Sequence, residues 1–161
     1  METDAPIPVA TTPTLQLLYT SRVEIGAPRE VGISPLGQRR IIPITGGRFC
    51  GPRLSGRILP GGADWQVTRA GDITEVDARY TLETHDGDLI YVSNRGLRHG
   101  PREVLERLAA GLPVEPHRYY FRTTPVFETG ASTLAWLNKI VAVASGERHP
   151  DKVIITVFEV I

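Results

Sequence analysis

Between residues 73 and 98 the chain alternates apolar and polar side chains with a period of two, broken once by a turn. In ITEVDARYTLET, Val76, Ala78, Tyr80 and Leu82 fall on one face, and Glu75, Asp77, Arg79, Thr81 and Glu83 on the other. After the turn His85-Asp86-Gly87-Asp88, a second run extends from Leu89 to Arg95. The pattern predicts strand, turn, strand, with one polar face rich in opposite charges. Such a face is either a wet exterior or the lining of a ligand cavity. Asp77 and Arg79, two residues apart on that face, are placed to pair along the strand.

The same reading extends along the rest of the chain. Residues 1–13 form a proline-rich lead, expected to be flexible, and residues 14–161 one β-barrel domain. Residues 15–25 and 38–44 read as strands, with a loop over 27–37. The segment GGRFCGPRLSGRILPGG has glycines at 46, 47, 51, 56, 61 and 62, which predicts bulges or sharp strand bends. It has neither the spacing of a phosphate-binding loop nor a following helix. A short strand is expected over 64–69. Residues 101–110 (PREVLERLAA) make the one convincing helix, with proline in its first turn and Gly111 just past its end. Residues 118–128 (RYYFRTTPVFE) are aromatic-rich strand, expected to bend at Pro125, and a turn or short helical turn surrounds Trp136. Residues 140–144 and 153–160 form a closing pair, the last strand apolar enough to be buried on both faces. About eight to ten strands and one short helix at the rim predict an all-β, antiparallel up-and-down barrel or sandwich.

Composition narrows the function classes. Eighteen basic residues balance eighteen acidic ones, so no excess charge attracts nucleic acid or an anionic membrane. Only Lys139 and Lys152 are lysines, and guanidinium groups suit fixed planar ion pairs and carboxylate recognition. The single cysteine, Cys50, excludes an internal disulfide and is expected to be a buried structural thiol. His85, His99, His117 and His149 lie in or beside turns without ligand spacing, and no metal or other cofactor is expected. No apolar run is long enough to span a membrane. The N-terminus lacks the basic start and apolar run of a signal peptide, so a cytoplasmic protein is expected. Exposed strand edges favour a homodimer.

The blocks GGRFCGPRLSGRILPGGADW, EVDARYTLETHDGDLIYVSNRG, YYFRTTPVFETG and AWLN, in that order, resemble the DUF3237 family, also called UPF0311. The resemblance runs from Leu15 to the C-terminus. It implies a compact antiparallel β-barrel of one domain and no settled activity. Its blocks fall on Asp64, Trp65, Asp77, Arg79, Tyr91, Asn94, Arg95, Tyr120, Arg122, Glu128, Trp136 and Asn138.

A barrel interior makes an isolated charge costly, so inward charges pair, shift their pKa or meet a ligand. If Asp64, Arg79, Arg122 and Glu128 point inward, the two arginines would grip an oxyanion. Asp64 or Glu128 would then act as general acid or base, its pKa raised beside Trp65 and Trp136. Tyr91 and Tyr120 would donate hydrogen bonds, and Trp65, Trp136 and Asn138 would complete a ligand-binding wall. The set suits a cofactor-independent lyase or isomerase: cyclisation, isomerisation, hydration or dehydration of a small hydrophobic, cyclic, aromatic or enone-type metabolite. The alternatives are a non-catalytic, lipocalin-like carrier or sensor, and a dimerisation module with a filled interior in which the same charges are stabilising pairs.

Overall fold

A computed structural model describes residues 5–161; the first four residues of the proline-rich lead lie outside them. Residues 5–14 carry no regular secondary structure. The strands of the described residues are β1 (Leu15–Ile25), β2 (Arg29–Ser34), β3 (Gly37–Cys50), β4 (Ser55–Ile58), β5 (Gly62–Arg69), β6 (Ile73–Thr84), β7 (Leu89–His99), β8 (Tyr120–Glu128), β9 (Ala142–Arg148) and β10 (Lys152–Val160). Helix α1 (Arg102–Ala109) follows β7, and a 3-10 segment, Ser132–Lys139, follows β8.

From β5 to β10 each strand pairs antiparallel with the next. Strand β1 pairs with β10 along one edge and with β3 along the other, and β3 pairs with β5. The ring is therefore closed, an eight-stranded antiparallel barrel. Strand β2 continues the line of β1 against the first part of β3, and β4 bridges β3 and β6.

Closure decides which residues are inside. In β6 the buried positions are Thr74, Val76, Ala78, Tyr80 and Leu82; in β8 they are Phe121, Thr123, Pro125 and Phe127. The barrel has two ends of different character. At one, Tyr19 packs edge-on against Phe49 and Phe127. Leu82, Ile90, Val92 and Val157 are fully buried, and Leu137 of the 3-10 segment joins the same cluster. Each such aliphatic side chain contributes about 1.5–3 kcal/mol by leaving water. At the other end lies α1, with Val104 and Leu108 turned into the core. Pro101 precedes α1 as its cap residue, Glu103 sits in the first turn and Arg107 in the last, each charge matched to the helix dipole.

The glycine-rich segment makes the corner that closure needs. Strand β3 pairs with β5 up to Ile44–Gly62 and with β4 from Arg48–Arg57 onward. Gly47 lies at the switch with φ of +136°, and a Cβ there would stand 2.1 Å from the carbonyl oxygen of Arg22.

Four expectations change. Residues 29–34 are strand, not loop, because they fold back on the start of β3 as a ribbon that leaves Val31 and Ile33 exposed. Strand β8 keeps its register with β7 through Pro125. Beyond Thr123, β8 has no pairing with β9, and proline is tolerated on such an edge. Strand β10 buries Ile155 and Val157 inside while Ile154, Thr156 and Phe158 are half-buried on the outer face. Cys50 is exposed, because Phe49 takes the inward position beside it.

Replacing Gly47 with alanine is expected to destabilise the fold by about 3 kcal/mol, the upper end of the cost of a strained backbone conformation. Gly130, exposed and with open space around it, is the control, where alanine should change stability by less than about 0.5 kcal/mol. Urea unfolding of the two variants measures this; equal midpoints would contradict the role given to the corner.

Candidate functional site

The barrel end beside α1 is open. A cavity of ≈ 310 Å³, walled in part by Gln38, Arg40, Thr68, Thr74 and Leu105, forms the mouth. Arg98 and Arg148 border both this cavity and an inner chamber of ≈ 50 Å³. The chamber's apolar wall includes Val23, Ile42, Ile44, Val76, Ile155 and Phe121, and its polar wall Asp64, Gln66, Tyr80, Asn94 and Thr123. Few polar groups set in an apolar concavity is the usual composition of a small-molecule site.

Asp64 reaches the chamber because β5 alternates Asp64 and Gln66 inward with Trp65 outward. Its cross-strand neighbours are Ile42 of β3 and Ala78 of β6, one apolar and one small. The β5–β6 pairing is interrupted between Asp64–Ala78 and Val67–Glu75. In that gap the Asp77 backbone N–H donates to Asp64 Oδ1 at 2.9 Å. Gln66 Nε2 donates to Asp64 Oδ2 at 2.7 Å, and Arg40 Nη2 donates to Gln66 Oε1 at 3.2 Å. Arg40 can only donate, so the Gln66 amide must present its oxygen to Arg40 and its NH₂ to Asp64. A directed chain thus runs from the mouth to the carboxyl.

Burial raises the Asp64 pKa above the ordinary carboxylate value; the Gln66 and Asp77 hydrogen bonds and the Arg98 charge pull it down without reversing the shift. Arg98, 6% exposed, has its guanidinium 5.5 Å over the Phe121 ring. Burial first, then the like charge of Arg148, lowers its pKa to about 10, so it stays cationic at neutral pH. Burial, followed by the charge of Arg40, lowers Arg148 as well. Burial raises Tyr80 to about 12, so its phenol is neutral. Thr123 Oγ1 is buried in the chamber wall without a hydrogen-bond partner, and the Tyr80 hydroxyl and Asn94 Oδ1 beside it make no well-formed bond, although Tyr80 interacts with Asn94 and with the Tyr19 hydroxyl. Buried polar groups are nearly always satisfied, and under-satisfied groups in one wall mark a place where a polar molecule fits. Among the described residues, no three His, Cys, Asp or Glu side chains cluster as metal ligands.

Of the residues singled out from sequence, Asp64 and Asn94 line this chamber. Arg79, which lies between Ala78 and Tyr80, is outside and pairs with Asp77 at 3.6 Å; Arg95 pairs with the same carboxylate at 3.3 Å. The polar face of the β6–β7 hairpin is therefore wet exterior. Arg122 and Glu128 lie outside because Phe121, Thr123 and Phe127 occupy the inward positions of β8. Trp65, Tyr91 and Tyr120 are 39%, 41% and 46% exposed, each between two inward residues or beside one. Tyr120 stacks on His99 at 4.8 Å on the outer wall. Trp136 is half-buried at the closed end, under the Arg53 guanidinium at 4.1 Å. Asn138 clamps a loop, accepting from the Thr129 N–H and donating to the Thr129 carbonyl, both at 2.9 Å. Sequence reasoning overlooked Gln66, Tyr80, Arg98, Arg148 and Arg40 as site residues. The signal was present: Tyr80 lies on the apolar face of β6, and Arg98 shares parity with Ile90, Val92 and Asn94.

A closed antiparallel barrel with an acid and guanidinium groups lining one lumen places the chain among single-domain β-barrel proteins. Within that class, the chain belongs to the family described as protein of unknown function DUF3237, whose model matches residues 13–160. A UPF0311 protein of Rhodopseudomonas palustris is 45% identical over 152 residues, 93% of this chain and 99% of that one. The crystal structure of a β-barrel-like protein from Acinetobacter baumannii is 43% identical with a TM-score of 0.81, covering 99% of this chain and all of that one (100%). An enzyme from Penicillium herquei shares the fold, with a TM-score of 0.73 at 19% identity over 97% of this chain and 100% of that one.

A carboxyl whose folded pKa is raised stabilises the fold when protonated. That contribution is complete below about pH 3.9, the ordinary aspartate value, and is lost as pH rises through the higher folded value. The melting temperature of wild type should therefore fall relative to D64N as pH is raised from about 4 to 8. Parallel melting profiles would show an unshifted carboxyl.

Proposed function

We propose that this protein is a cofactor-independent lyase or isomerase that moves a proton on a small, partly apolar metabolite held in the barrel chamber. The observation that carries the reading is a carboxyl of raised pKa, Asp64, set beside Ile42 and Ala78 and lining one chamber with the under-satisfied polar atoms of Tyr80, Asn94 and Thr123. Raised carboxyl pKa and an apolar wall together suit general acid–base catalysis near neutral pH. Asp64 takes a proton from an acidic C–H or O–H and returns it to a neighbouring atom. The neutral Tyr80 hydroxyl meets the oxyanion that forms meanwhile. Gln66, held by Arg40, keeps the carboxyl oriented. The chain's relationship in fold to an enzyme from Penicillium herquei agrees with catalysis in such a barrel. A cytoplasmic setting and a small metabolite as ligand, in a monomer or a homodimer, fit this role.

The chemistry is open to a test that does not need the native substrate. Purified protein is incubated in D₂O with a panel of small cyclic enones and β-hydroxy ketones, and deuterium incorporation at the acidic carbon is followed by NMR. Wild type should catalyse exchange on at least one compound, and D64N should lose about 10²–10⁴-fold in rate while melting no lower than wild type. Saturable binding without exchange would replace the enzyme reading with that of a carrier.

A further inference from the structure

We propose that the barrel mouth is a subsite for the carboxylate of a small amphipathic acid, gripped between Arg98 and Arg148. This rests on the proposed use of the chamber and names the substrate class for it.

The two arginines end β7 and β9 on the same rim. The Arg148 position is tied down by its backbone N–H, which donates to the Tyr119 hydroxyl at 2.9 Å. Neither guanidinium has a carboxylate within 4.0 Å among the described residues, although eight other arginines do, as Arg57 has Glu83 and Arg69 has Glu75. The carboxylates that surround the rim are committed elsewhere or stand apart. Asp64 is occupied by Gln66 and the Asp77 N–H. Asp72 pairs with Arg102 at 3.5 Å. Glu106 is exposed on α1. The third guanidinium, Arg40, is held by Gln66 at 3.2 Å and by Glu30 at 3.9 Å.

A buried cation without a partner is costly, and two that repel one another are costlier. Burial lowers the pKa of both, Arg148 adds its like charge to Arg98 and Arg40 adds its own to each, yet Arg98 remains charged at neutral pH. Such a pair is stabilised by an anion arriving from the mouth. The guanidinium fork matches a planar carboxylate through two parallel N–H···O bonds. The inner chamber of ≈ 50 Å³ has room for only a short apolar portion, along Ile42, Val76 and Phe121. The under-satisfied polar atoms of Tyr80, Asn94 and Thr123 in the same wall suit a second oxygen, a carbonyl or hydroxyl. The ligand class is therefore a short or monocyclic carboxylic acid with one further oxygen function. Its head would lie at the rim and its reacting carbons near Asp64.

Three probes test this by calorimetry: 4-oxocyclohexanecarboxylate, its primary amide, and 4-oxocyclohexylphosphonate. The carboxylate should bind at least about tenfold more tightly than the amide, the worth of a charge-assisted pair. R148Q and R98Q should each erase that preference by weakening carboxylate binding more than amide binding, and R98K should restore it in part. Melting temperatures check that the variants fold, and R148Q, at the less buried site, carries the test if R98Q does not fold. D64N should retain carboxylate binding. Carboxylate binding by D64N and wild type without deuterium exchange would sink the enzyme reading and leave the subsite standing. Equal affinity for carboxylate and amide, no binding of any probe, or a preference that survives both arginine variants would overturn the subsite. A phosphonate that outbinds the carboxylate tenfold would overturn the carboxylate assignment in favour of a phosphate head group.

Discussion

Strand β1 hydrogen-bonds to β10 along one edge and to β3 along the other, and this double pairing turns a sheet into a tube. Once the tube is closed, strand alternation leaves no freedom: every second residue faces a lumen too narrow for all of them to be large. One end is filled by Tyr19, Phe49, Phe127 and a layer of aliphatic side chains. At the other end smaller residues, Ala78, Thr74 and Thr123, take the inward positions and space remains. The site is the part of the lumen that the core does not fill, and the sharp bend of β3 at Gly47 is what lets β1 complete the circle.

Within that space electrostatics are unbalanced in a directed way. On the outer wall, charges pair in high dielectric and cancel, as Asp77 does with Arg79 and Arg95, and such pairs add little stability. Inside, one carboxyl and two guanidiniums are withdrawn from water without pairing directly with each other. A fold selected only for stability gains nothing from that arrangement, because an apolar lumen would be at least as stable. The hydrogen-bond chain from Arg40 through Gln66 to Asp64 holds the carboxyl in one orientation, so the cost of burying it is spent on geometry.

The architecture was legible in the sequence because period-two alternation is a local signal, and the β6–β7 hairpin, the helix at 102–109 and the closing β9–β10 pair all follow it. The glycine-dense segment announced a corner, and Gly47 is part of it. The family resemblance added the closed barrel. The candidate site was legible at two residues, Asp64 and Asn94. The failure at Arg79, Arg122 and Glu128 came from weighting charge over parity: those residues share strands with a strict apolar face, and that face, not the charged one, turned inward. Had the inward face of β7 been followed past Asn94 to its end, Arg98 would have been found. Arg148 and Gln66 were harder, since β9 begins two residues later than its pattern suggests and β5 is short. Pairing between distant strands, which brings Arg40, Gln66, Arg98 and Arg148 to one rim, has no local signature at all.

The central claim is that the chamber keeps an aspartic acid in an environment that favours its protonated form. NMR titration of the Asp64 side-chain carboxyl carbon in the intact protein measures this directly. The account predicts a midpoint clearly above the ordinary aspartate value of about 3.9, abolished as a signal in D64N and unaffected by substitutions on the outer wall such as R79Q. A midpoint at or below that value would mean that the arginines and hydrogen bonds outweigh burial, and that the lumen holds a structural anion in place of an acid.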